Sequence, residues 1–189
     1  MTNTRLTAAL AALLLYPGTG LAQNTRVLEN ARVLENDRVV VWNVPAPANA
    51  PHAHTDDATV RMEGDSVRVT RADGSAVLVQ LKSAGPAPAA SPHPPAFPRE
   101  GTTKLLENAR VAVWDVRWSA GDPGLLHTHP YDNVNITLAA GRTRSVPLTG
   151  EPTETAVKPG AVHFNVKDRV HREQGLPGPQ RRGIVVELK

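Results

Sequence analysis

The sequence contains no cysteine, which excludes disulfide staples and thiolate metal ligands. Aromatic residues make up only 4% of it, too few to interleave with basic residues as a nucleic-acid surface requires. It also has no block of one charge sign. The 21 basic and 18 acidic residues nearly balance, and they alternate along stretches such as Glu35-Asn36-Asp37-Arg38. Nucleic acid is therefore not expected as a partner. The apolar run Ala8 to Leu15 is far below the ~20 residues that span a bilayer. With Arg5 before it and Gly20-Leu21-Ala22 after it, this run reads as a signal peptide cleaved after Ala22. Export to the periplasm or medium is the expectation, with no membrane span after processing. Cleavage removes only Arg5 among charged residues and lowers the net charge from +3 to +2.

What is abundant is turn chemistry. There are 17 prolines and 14 glycines, against an apolar content of 40%. That composition suits a globular chain of short strands. Val39 to Trp42, Ser66 to Thr70, Ala76 to Leu81, Arg110 to Trp118, Asn133 to Leu138, Ala161 to Val166 and Gly183 to Leu188 all read as strands. Asp73-Gly74 separates two of them as a hairpin turn would. The fold class is all-β.

The chain repeats itself. Residues 34–42, Leu-Glu-Asn-Asp-Arg-Val-Val-Val-Trp, match residues 106–114, Leu-Glu-Asn-Ala-Arg-Val-Ala-Val-Trp, at an offset of 72. Each Trp is followed by a His-x-His-x-x-Asp: His52, His54 and Asp57, then His127, His129 and Asp132. Between the copies, residues 85–98 hold so many prolines that neither helix nor sheet can form, and they read as an extended connector. The expected organisation is a signal peptide over 1–22, an N-terminal unit over 23–84, a connector over 85–98 and a C-terminal unit over 99–189.

His127 and His129, two apart on a strand, would present both imidazoles on one face, as two ligands of a divalent metal. Here the second copy resembles the cupin superfamily. Gly121, His127, His129 and the closing Gly141 follow its first motif, and Gly160 and His171 its second. Val166, Asp168 and Gly175 stand where that motif has Pro, Gly and Asn. The resemblance implies an antiparallel jelly-roll barrel, and from the repeat two tandem units, the first degenerate, with a homodimer as a possible assembly. It also implies a metal held by His127, His129 and His171, with Asp132 as a fourth ligand and His163, His52 and His54 as weaker candidates; the ion is Fe, Mn, Zn or Ni. The family's ligand glutamate falls at Asn133 or Val134, and spacing from Gly141 selects Val134, which cannot bind metal. His93, among prolines, is expected to face solvent. Three functions remain open: a metal-dependent enzyme of dioxygenase or isomerase type on a small organic molecule, a small-ligand binding or sensing module, and a structural cupin without metal.

Overall fold

The computed structural model describes residues 32–45, 53–54, 58–121 and 124–189. The signal-peptide reading, His52 and Asp57 lie outside them, as does the side chain of His54. The described residues form fifteen strands and no helix. The first six are β1 (Arg32–Glu35), β2 (Val39–Pro45), β3 (Ala53–His54), β4 (Ala58–Glu63), β5 (Ser66–Arg71) and β6 (Ser75–Leu81). Then come β7 (Thr102–Glu107), β8 (Val111–Trp118), β9 (His127–Thr128), β10 (Asp132–Ala139) and β11 (Gly141–Pro147). The last are β12 (Thr153–Val157), β13 (Val162–Asn165), β14 (Val170–Gly175) and β15 (Arg181–Leu188). The Asp-Gly hairpin joins β5 to β6: Gly74 has φ 79°, and Asp73 Oδ1 accepts from the Ser75 amide at 2.9 Å.

Three antiparallel sheets result. A five-stranded sheet β13-β10-β15-β8-β7 and a four-stranded sheet β12-β11-β14-β9 enclose a lumen, the two layers of a jelly-roll barrel. The first half forms a single six-stranded sheet, β1-β2-β6-β5-β4-β3. The expectation of a second barrel is thus corrected: among the described residues that half has no second sheet to close one. It packs flat against the outer face of the five-stranded sheet instead. One apolar cluster joins Val39, Val41, Val67, Val69, Val77 and Val79 to Val111, Val113, Val134, Ile136, Ile184 and Val186.

The five-stranded sheet is therefore covered on both faces, and strand alternation divides its residues between two tasks. In β8, Val111 and Val113 face the neighbouring sheet. Ala112, Trp114, Val116 and Trp118 face the other way, with Ala96, Phe97 and Val185. All eight residues of β15 are buried, the pattern of a strand with no solvent side.

The sequence repeat reappears as a structural one. In each half the first two strands pair and the last strand lies beside the second, β1-β2-β6 against β7-β8-β15, while beyond them the chain order differs, β5-β4 against β10-β13. Asn36 Oδ1 accepts the amides of Arg38 and Val39, and Asn108 Oδ1 accepts those of Arg110 and Val111. Each turn then sends its arginine across to the other half. Arg38 donates to Leu188 O at 3.0 Å and to Asp132 Oδ2 at 2.6 Å. Arg110 donates to Lys82 O at 3.1 Å and reaches Asp65 Oδ1 at 3.4 Å.

The proline connector does more than separate the halves. Ala96 N–H donates to Thr128 O at 2.8 Å and Thr128 N–H to Pro94 O at 2.9 Å, which lays the connector alongside β9. Phe97 is carried inward to stack on Trp114, centroids 5.3 Å apart.

The two arginine ties differ in burial, and this gives a stability test. The Arg38–Asp132 side chains are 12% and 11% exposed, whereas Asp65, facing Arg110, is 78% exposed. Arg38→Ala should cost about 3 kcal/mol, since it leaves a carboxylate shielded and unpaired. Arg110→Ala should cost about 0–1 kcal/mol through its ion pair. Urea unfolding of the two variants checks the order, and equal losses would show that the asymmetry in burial does not matter.

Candidate metal centre and barrel cavity

The three histidines are brought together by pairing of short strands. In the register of β9 with β14, His127 stands opposite His171, so both rings leave the ladder on one face. His129 follows at the end of β9, where its N–H donates to Arg169 O at 3.1 Å and its carbonyl accepts from Asp168 N–H at 2.7 Å. Asp168 has φ 62°, a left-handed conformation that Asp tolerates better than most side chains. This is the position where the resembled motif carries glycine. Gly175 is fixed by close approach, because a Cβ there would lie 2.4 Å from Ser119 O.

The ring centroids are 4.8–5.2 Å apart, and one nitrogen of each ring lies within 4.8 Å of the others. All three residues are buried. His127 Nδ1 is 2.8 Å from Leu125 O, an acceptor, so this nitrogen carries the proton and Nε2 keeps its lone pair. His171 Nδ1 is 2.7 Å from Ser145 Oγ, which can accept in the same way; Arg169 approaches that nitrogen only to 3.4 Å. His129 Nε2 and His171 Nε2 then face each other at 3.0 Å. Ligands about 2.0–2.1 Å from one ion at a tetrahedral angle sit about 3.4 Å apart, so small ring movements suffice. His127 Nε2 is buried and has no hydrogen-bond partner. Three buried imidazoles that converge in this way are a donor set suited to a divalent transition metal.

Burial is the main reason that all three stay neutral. It lowers the pKa of His127 against the pull of the Leu125 carbonyl. It takes His129 down to about 3, with His171 and His127 adding to the effect. His171 falls to about 4 through burial, although nearby Glu173 works the other way.

Other candidates lie elsewhere. Asp132 is not turned to the histidines: one carboxylate oxygen takes Arg38 and the other accepts Lys167 N–H at 2.8 Å. Its expected place as fourth ligand is corrected by a salt bridge to the other half of the chain. His163 is an exposed residue of β13 at the cavity wall, outside the triad. His93 is half-buried rather than fully exposed. Val134 is fully buried in the inter-sheet core, so it is not the counterpart of the family's glutamate. A β-bulge between Thr137 and Ala139 adds a residue before Gly141 and throws spacing from that glycine off by one. Asn133 is the lumen-facing residue.

A cavity of about 240 Å³ opens beside His129, between the two sheets. Its walls include Asn133, Asn135, Thr143, Ser145, Glu173 and Arg181. Glu173 escaped the sequence reading, although it lies two residues beyond His171 on the same face of β14, as strand periodicity would have shown. Burial pushes its carboxyl up, but the Trp118 indole N–H at 2.5 Å, Arg181, His171 and Arg99 outweigh this and leave it below the usual range.

No family model and no curated protein matches the chain. Solved structures do. One is a cupin domain from Bordetella pertussis Tohama I, at 20% identity over 53% of this chain and 99% of that one, TM-score 0.43. Another is an RmlC-like cupin family protein with a double-stranded β-helix fold from Methanocaldococcus jannaschii, at 17% over 49% and 85%, TM-score 0.40. A polyketide cyclase from Streptomyces resistomycificus is similar at 23% over 52% and 70%, TM-score 0.40.

The neutral histidines make a pH prediction for metal-free protein. Their folded pKa values lie below the ordinary 6.5, so the unfolded chain binds protons that the folded one refuses. Stability should be unaffected above about pH 6.5 and fall on acidification towards pH 4, each group adding up to about 1.4 kcal/mol per pH unit. Denaturant titrations across this window should show a shallower slope for His129→Gln. An unchanged slope would mean that His129 is not buried in its neutral form.

Proposed function

We propose that His127, His129 and His171 hold one divalent metal ion, and that the adjoining cavity presents a small organic molecule to it for catalysis of dioxygenase or isomerase type. The observation that carries this reading is the triad itself: three buried, neutral imidazoles with nitrogens within 4.8 Å and two outer nitrogens anchored by Leu125 O and Ser145 Oγ. When bound, the ion supplies Lewis-acid polarisation of a coordinated oxygen. The chain's own residues do the rest. Leu125 and Ser145 fix two ring orientations. Phe97, edge-on to His129 at 6.1 Å, and Trp118 form apolar wall that excludes water. Glu173 places a carboxylate at the cavity wall, where the sequence offered none. Imidazole donors suit Fe, Zn or Ni.

A second reading, a binding module without turnover, draws on Asn133. At the lumen position where the resembled family carries a glutamate, this side chain presents an amide whose Nδ2 has no partner. An amide recognises a ligand but does not act as a base at neutral pH.

Metal titration decides the first point. The wild-type protein should bind one equivalent, and His127→Ala or His171→Ala should abolish binding, while His93→Ala and His163→Ala should retain it. Ser145→Ala should weaken affinity about 10–100-fold, as loss of a partner that orients a ligand does. Metal retained at full affinity in His171→Ala would overturn the assignment.

A further inference from the structure

The cavity beside the triad has a charge imbalance and a fixed pattern of unpaired groups. One carboxylate, Glu173, faces three guanidinium groups. Arg99 lies 3.6 Å from it, and Arg181 and Arg169 line the cavity with it. Among the described residues neither Arg169 nor Arg181 has a carboxylate within 4.0 Å. Arg181 lies over the Trp118 ring, its Cζ 4.2 Å from the centroid, and donates through Nη1 to Thr143 Oγ1 at 2.9 Å. Its Nε–H is buried without a partner. A guanidinium locked in place with an N–H to spare is a carboxylate receptor.

The asparagines are oriented by logic that starts from Arg169. Arginine only donates, so Asn165 must turn its Oδ1 to Arg169 Nη1, at 3.1 Å. Asn165 Nδ2 then faces Asn133 and donates to its Oδ1 at 3.0 Å. That leaves Asn133 Nδ2 as a buried donor with no partner, and two residues along the same strand face Asn135 Oδ1 is a buried acceptor with none. A buried polar group left unpaired is destabilising, which a bound ligand would relieve. A ligand hydroxyl oxygen accepts a hydrogen bond and so answers Asn133 Nδ2.

Resting on the reading of the lumen as the ligand site, we infer that its ligand is a small hydroxycarboxylate, the carboxylate received by Arg181 and a hydroxyl oxygen accepting from Asn133 Nδ2. The volume of about 240 Å³ fits this, as it lies below the ~300–1,000 Å³ of pockets for drug-sized ligands.

Calorimetric titration of metal-loaded and metal-free protein with glycerate and malate tests the inference, with succinate, glycerol and inorganic phosphate as controls. Glycerate or malate should bind. Succinate, without the hydroxyl, should bind at least about tenfold more weakly, and glycerol not at all. Asn133→Asp is nearly isosteric and still accepts from Asn165, but it sets an oxygen where the donor was. It should lose at least about tenfold in hydroxycarboxylate affinity. Arg181→Gln should lose the distinction between glycerate and glycerol, with folding checked by circular dichroism. Metal binding with no hydroxycarboxylate binding would overturn this inference and leave the metal assignment standing. Hydroxycarboxylate binding by a protein that takes up no metal would do the reverse. Succinate or phosphate binding as tightly as malate would also overturn it.

Discussion

The structure depends on one sheet being buried on both sides. The strands β8, β10 and β15 give alternate residues to two different interiors, the dry valine-rich seam against the first half and the polar lumen of the barrel. Without the first half, Val111, Val113, Val134, Ile136, Ile184 and Val186 would form an apolar face open to water, a surface that soluble monomers rarely carry. The N-terminal sheet serves the site indirectly. It covers the outer face, and the barrel is then free to leave Asn133, Asn135 and Thr137 on the inner one.

The tie between the halves accounts for the largest difference between the site that spacing suggests and the one that forms. Asp132 stands three residues after His129 and could bind a metal by type and spacing. Arg38, 94 residues away in sequence, takes its carboxylate instead. The reciprocal contact from Arg110 to Lys82 O shows that this cross-tie belongs to the repeat and not to the histidines. A residue's partner across 94 positions leaves no trace in its local pattern, and for that reason spacing alone places Asp132 beside the histidines.

Much of the fold was legible because burial imposes regular signals. Val134, Ile136 and Leu138 alternate as a half-buried strand must, and Asp73-Gly74 marks its hairpin. Among the strands that the pattern does not mark are polar ones of the four-stranded sheet, such as β11 (Arg142, Arg144) and β12 (Thr153, Glu154, Thr155), whose β-propensity is masked by charge. The histidine pair was legible from a period of two, and His171 from motif spacing across a glycine turn. Glu173 needed only that same period carried one step further. Asn133 was hidden by a bulge, which counting along the chain cannot detect.

The alternation has an evolutionary consequence. Substituting Asn133, Asn135 or Thr143 changes the wall of the lumen and leaves the valine seam untouched, so ligand preference can drift through single codon changes at little risk to folding. A one-residue deletion in β10 before the bulge would do the opposite, turning valines into the lumen and asparagines into the seam. Lineages carrying this arrangement should therefore diversify by replacement along these strands, and accept length changes in loops such as the one around Gly121.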